Sequence, residues 1–142
     1  MTVSGESHNA LIDWLGRLSE LMSSVEAWAV DLGWTTRRIE LTRQDSLAGT
    51  YLAPALLLQD RACRILVEPI THRAPGVDGV VDLYAMPAYD DIATLYLLDG
   101  QWSIVDRDSA TGAVQDADQS QLTAAVLGDV LAKMKQHAPQ PV

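Results

Sequence analysis

Leu11, Leu15, Leu18, Met22, Val25, Ala29 and Leu32 recur at intervals of three and four residues, with Asp13, Arg17, Glu20, Ser24 and Asp31 between them. That period belongs to an α-helix with one apolar stripe. It predicts a helix from about Ser7 to Leu32, widened by Trp14 and Trp28 and ended by Gly33. From Trp34 the period falls to two. Thr35, Arg37, Ile39 and Leu41 alternate with Thr36, Arg38, Glu40 and Thr42, as in a strand with one wet face. A loop around Gln44-Asp45-Ser46 follows, and then an apolar run from Thr50 to Leu58. Pro54 interrupts that run and marks it as an edge strand or a bulge.

Arg64 to Ile104 reads as four antiparallel strands because turn residues punctuate it. Asp99-Gly100 suits a two-residue hairpin in which both central residues take positive φ, so Leu98 and Gln101 close it. Leu97 then faces Trp102, and Leu95 faces Ile104. Pro87 to Asp91 is expected to turn the chain so that Met86 lies opposite Ile92, Tyr84 opposite Thr94 and Asp82 opposite Tyr96. Pro75-Gly76 and Asp78-Gly79 reverse it in the preceding loop, bringing Ile70 near Val80 and Glu68 across from Asp82.

Alternation along these strands sorts their residues into two faces. Ile65, Val67, Pro69, Val81, Leu83, Ala85, Ala93, Leu95, Leu97, Trp102 and Ile104 form a core face. Glu68, Asp82, Tyr84 and Tyr96 share the other with Arg64, Leu66, Val80, Met86, Thr94 and Ser103. After a polar stretch from Asp106 to Ala117, Asp118 and Gln121 resemble a capping box opening a second helix to about Gln136, with Leu122, Val126, Val130 and Met134 on one side. The expected fold is α+β: an antiparallel meander sheet of five to six strands flanked by an N-terminal and a C-terminal amphipathic helix. Residues 7–137 would form its single domain, with 1–6 and 138–142 as flexible termini.

Composition narrows the function. A chain of 142 residues with 48% hydrophobic and 20% charged residues is globular, and its single cysteine, Cys63, permits no internal disulfide. The net charge of −9 disfavours nucleic acid, whose binding depends on basic side chains displacing counterions. No run approaches the ~18 apolar residues of a membrane span, and the start lacks the pattern of a signal peptide. A cytoplasmic location is therefore expected. The absence of Phe and the use of only Lys133 and Lys135 hint at a GC-rich bacterial genome.

Candidate chemistry gathers on the polar sheet face. Two carboxylates directly opposite on neighbouring strands repel by about 0.2 to 1 kcal/mol, so Glu68 facing Asp82 requires a reason. A divalent cation bridging them, its shell completed by His72, Asp90 or Asp91, is one; neutralisation by Arg64 or Arg73 is another. A slipped register is the third. Gly79-Val80-Val81-Asp82 resembles the strand carrying the first metal-binding Asp of the restriction-endonuclease-like nucleases, which implies metal-dependent hydrolysis. The next strand departs from that family, since Ile92 to Leu98 contains neither acid nor Lys. In gross character, an acidic chain whose amphipathic helices enclose a sheet resembles the type III secretion chaperones, which implies a dimer that wraps a partner.

Three functions remain open. The favoured expectation is a non-enzymatic partner-binding domain without a cofactor. The alternatives are a metal-dependent hydrolase using Glu68, Asp82, Asp90 and Asp91, and a small-ligand domain whose pocket lies between the polar face and the last helix, walled by Tyr84 and Tyr96. Self-association as a homodimer is also expected, because the first helix, the Pro54 strand and the last helix carry more apolar surface than one sheet face covers.

Overall fold

The computed structural model describes residues 2–106 and 119–137. Two helices, α1 (Thr2–Asp31) and α2 (Ala124–His137), flank β1 (Thr35–Asp45), β2 (Gly49–Asp60), β3 (Cys63–Thr71), β4 (Gly79–Ala85), β5 (Asp90–Leu98), β6 (Gln101–Asp106) and β7 (Gln119–Gln121). The strands form one seven-stranded antiparallel sheet in sequence order, so the fold is the expected α+β meander with one strand more than the upper count. The extra strand, β7, is Gln-Ser-Gln, which carries no apolar alternation to reveal it. The tail at 138–142 and the stretch 107–118, with Asp118, lie outside the described residues.

Helix α1 begins at Thr2, nine residues before the first leucine of its apolar stripe, Leu11. Its inward side carries Leu11, Trp14, Leu18, Leu21, Met22, Val25 and Ala29, all buried, whereas Leu32 is exposed. Leu32 is lost from the stripe because the helix has already ended. Gly33 takes φ of 91°, letting its N–H reach the Val30 carbonyl (3.0 Å) and the Trp34 N–H the Ala29 carbonyl (2.9 Å). This paired closure satisfies two carbonyls left open by the last turn, and it places Trp34 in the core beside α1.

The core face matches the alternation. Ile65, Val67, Val81, Leu83, Ala93, Leu95, Leu97 and Ile104 are at most 4% exposed and pack in one cluster with the inward side of α1. Leu127, Val130, Leu131 and Met134 of α2 belong to the same cluster, so both helices cover one sheet face. That sharing covers the inward sides of both helices, while Ile12, Val30 and Leu52 stay exposed. It also keeps α2 off the face of Tyr84 and Tyr96, so the pocket expected there is not formed by α2. Helix α2 opens at Thr123, whose hydroxyl accepts the Val126 N–H (3.2 Å); Gln121 belongs to β7 instead of a capping box. Lys133 bonds Asp106 (2.9 Å), while Lys135 pairs with Asp60 and lies 5.2 Å from the Trp34 ring centre.

The Asp99-Gly100 hairpin has the expected register, with φ of 51° and 78° at its two turn residues. Between β4 and β5 the pairing is displaced by two residues as far as Leu83, so that Asp82 faces Thr94 and Val80 faces Tyr96, and by three beyond it, where Tyr84 faces Asp91. The turn is tighter than expected, and a bulge between Leu83 and Tyr84 absorbs the remaining offset. A shift of two preserves the side of each residue up to the bulge, so the face assignment survives there, whereas beyond it Ile92 joins Ala93 in the core cluster. Glu68 faces Asp82 as expected, and a second bulge at Ile70 sets Thr71, in place of Ile70, against Val80. Gly79 serves packing, not a turn. A Cβ there would lie 2.2 Å from the Trp14 ring.

Pro54 sits in an interior strand, beyond the end of one ladder. β2 pairs with β3 from Asp60↔Cys63 to Leu56↔Val67 and no further, while its pairing with β1 continues to Gly49. Extending the β2–β3 register by two residues would set Pro54 against Pro69, and neither has an N–H to give. The outer half of the β1–β2 hairpin is thereby released from β3. Alternation slips there too: Ala53 and Leu56 both reach the core cluster.

Candidate functional site

Glu68 and Asp82 meet across β3 and β4 on the polar face, but each is satisfied by its own partner. Arg43, on the released half of the hairpin, places Nη2 2.5 Å from Glu68 Oε1 and donates Nε–H to the Pro69 carbonyl (3.1 Å). One guanidinium thus offsets the carboxylate and occupies a backbone acceptor at the point where β2 has left β3. Arg64 and Arg73 had been the expected neutralising partners. Sequence distance hid Arg43, which arrives from β1 only because the ladder ends at the two prolines.

Asp82 is held by hydroxyls. Thr94 Oγ1 donates to one carboxylate oxygen (2.7 Å) and Tyr84 Oη to the other (2.8 Å). Thr94 is 1% exposed, the sole polar residue buried to this degree among the described residues, and its bond to Asp82 accounts for its position. Tyr84 in turn packs edge-on against Tyr89, with ring centres 5.9 Å apart.

Of the other expected members, Asp90, Tyr96 and His72 do not converge on this pair. Asp90 pairs with Ala85 and is exposed, three positions along β4 from Asp82 or about 10 Å at the usual strand rise. Asp91 pairs with Tyr84, a position nearer. Tyr96 lies beside Val80 and Ser103. His72 lies past the end of β3 and stacks on Trp14, with ring centres 5.8 Å apart and planes 28° from parallel. No group of three or more His, Cys, Asp or Glu side chains with metal-holding geometry occurs among the described residues.

No protein-family model, curated protein or solved structure matches this chain.

His72 belongs to a second cluster, which the sequence did not reveal. Asp45, at the end of β1, has a side chain only 5% exposed; it takes Arg73 Nε at 2.5 Å and Nη2 at 3.2 Å. The same carboxylate accepts the Leu47 and Ala48 N–H groups (3.1 and 2.6 Å), closing the hairpin turn. The Arg73 hydrogen bonds hold the Asp45 carboxyl down at about 2, against desolvation and with help from the two backbone donors. His72 Nε2 stands 3.7 Å from Asp45, beyond hydrogen-bond distance, and burial pushes its imidazole below the ordinary value despite the nearby carboxylate. Trp14 Nε1 and His72 Nε2 are both buried without a hydrogen-bond partner. Beside them is an open hollow of about 220 Å³ lined by Asp13, Trp14, Arg17, His72 and Asp78. Asp45 reads as an ordinary loop residue in the sequence, and Arg73 was expected to neutralise Glu68 and Asp82 instead of Asp45. Only the folding of the hairpin tip toward the β3–β4 loop brings them together.

Cys63 is buried, and burial pushes its thiol up, which fits a small core hydrophobe. Among the described residues, no helix is long and apolar enough to cross a membrane.

Proposed function

We propose that this chain is a protein-interaction domain that receives an extended polypeptide along the free edge of β1. One observation carries the reading: β1 runs for 11 residues and, among the described residues, pairs only with β2. A strand edge of that length is a row of backbone donors and acceptors able to accept another strand, with alternate side chains supplying selectivity. Ile39 and Leu41 are only partly covered on β1, and Arg37 and Arg38 are exposed there. In a chain of net charge −9 this is a locally basic strip. The hydrolase reading has less support, since Glu68 and Asp82 are already engaged by Arg43, Thr94 and Tyr84.

A photo-crosslinking amino acid placed at exposed Thr42, and separately at exposed Leu98, tests the reading in cells of the source organism. Adducts formed from position 42 and absent from position 98 support a docking edge. Absence of adducts from 42, or equal yield at both positions, overturns it.

A further inference from the structure

We infer that the strand received by β1 is β1 of a second copy of this chain, paired antiparallel about Ile39 so that one sheet runs through a two-fold dimer. The inference rests on reading β1 as a docking edge and names its occupant. Two-fold antiparallel pairing requires that one residue face its own counterpart, so each candidate centre specifies every other pair. Centring on Glu40 sets Glu40 against itself and Arg37 against Arg43, two repulsive arrangements. Centring on Arg38 sets that arginine against itself. Centring on Ile39 sets Ile39 against Ile39, Arg38 against Glu40 twice, Thr36 against Thr42 twice and Arg37 against Leu41 twice. Of the three, the last register alone opposes unlike charges and no like ones.

The surroundings of these residues agree with that register. Arg38 and Glu40 alternate onto the same side of β1, the side on which Arg38 approaches α1. There Arg38 bonds Ser23 Oγ (2.6 Å) and lies 3.4 Å from Glu26, its side chain still 41% exposed. Glu40 is exposed and has no ion pair or hydrogen bond among the described residues. Glu40 of the second copy would therefore complete an Arg38 already half-oriented, at both ends of the interface. Two features that commonly block edge pairing are missing from β1: the strand contains no proline, and its ladder with β2 is unbroken from Thr35 to Asp45. The opposite sheet edge, β7, is three residues long and offers no comparable row.

Arg38→Glu and Glu40→Arg, each alone, set like charges against each other at two symmetric contacts. Light scattering and sedimentation over a range of concentrations should show the parent as a dimer and each variant weakened about tenfold or more. Mixing the two variants restores opposite charges at both contacts, so the equimolar mixture should recover the dimer that neither forms alone. Melting curves report whether each variant is folded. Should Arg38→Glu unfold for want of its Ser23 and Glu26 contacts, hydrogen exchange of residues 36–42 in the parent still decides, slowing as concentration rises if the edges pair. A parent monomeric at every concentration, single variants as dimeric as the parent, or a mixture that stays monomeric would each overturn the inference. If the parent is monomeric while Thr42 still captures a chain of another mass, the docking edge stands and the second copy falls. If Thr42 captures nothing, both readings fall.

Discussion

Arg43 Nη2 lies 2.5 Å from Glu68 Oε1 although β2 runs between their strands over most of its length. The contact forms where Pro54 and Pro69 end the β2–β3 ladder, and the same guanidinium bonds the Pro69 carbonyl. It relieves a carboxylate that otherwise faces Asp82 alone.

Arg43→Ala therefore removes a charge-assisted bond and a backbone bond together, and leaves Glu68, only 18% exposed in its side chain, opposite Asp82 without a cation. The expected loss is about 1 to 3 kcal/mol in urea unfolding, the range for stranding a partly buried hydrogen-bonding group. Adding Glu68→Gln should recover part of it. Two single effects that simply add would show that the residues do not interact.

Leu95 is fully buried against α1, and Leu95→Ala should cost about 2 to 5 kcal/mol through lost transfer energy and the cavity left behind. An unchanged denaturation midpoint would contradict the core face described above.

Gly79→Ala pushes a methyl group to 2.2 Å from the Trp14 ring, whose residue is 2% exposed and has little room to retreat. Destabilisation of about 1 to 3 kcal/mol is expected from such overpacking. A Trp14→Leu background, which vacates that space, should make the same Gly79→Ala change nearly neutral; an equal penalty in both backgrounds would place its cause elsewhere.

Acid should weaken the fold in two stages. Burial lowers the folded-state affinity of His72 for protons, so the unfolded chain binds more of them and stability declines as pH falls below the ordinary value of 6.5. Asp45 contributes fully above its ordinary 3.8, and that contribution is lost as pH falls toward about 2. Arg73 is about a third exposed, so solvent screening reduces the second effect to about 1 kcal/mol. Unfolding measured from pH 7 to pH 2 should lose its upper stage in His72→Gln and its lower stage in Asp45→Asn. A profile unaltered by either substitution would show that the cluster does not couple to folding.

Local chemistry alone determined much of this protein. The stripe from Leu11 to Ala29, the positive φ suited to Gly33 and to Asp99-Gly100, and the alternation from Ile65 to Ile104 depend on neighbours within a few residues, so helix, hairpin and core face were legible before any coordinates. The encounter of Glu68 with Asp82 was legible for the same reason, being set by one loop between adjacent strands. Other features needed the assembled chain. The tight turn and bulge that moved Asp82 from Tyr96 to Thr94 arise from backbone geometry that alternation does not record, since a shift of two leaves Asp82 on the same face. Arg43 reaches Glu68, and Asp45 reaches Arg73, across 25 and 28 residues respectively. Those contacts depend on the hairpin leaving β3 at paired prolines and folding inward, a consequence of which backbone donors are missing on two strands at once. Gly79 reads as a turn residue in the sequence and becomes a packing residue only once Trp14 lies above it.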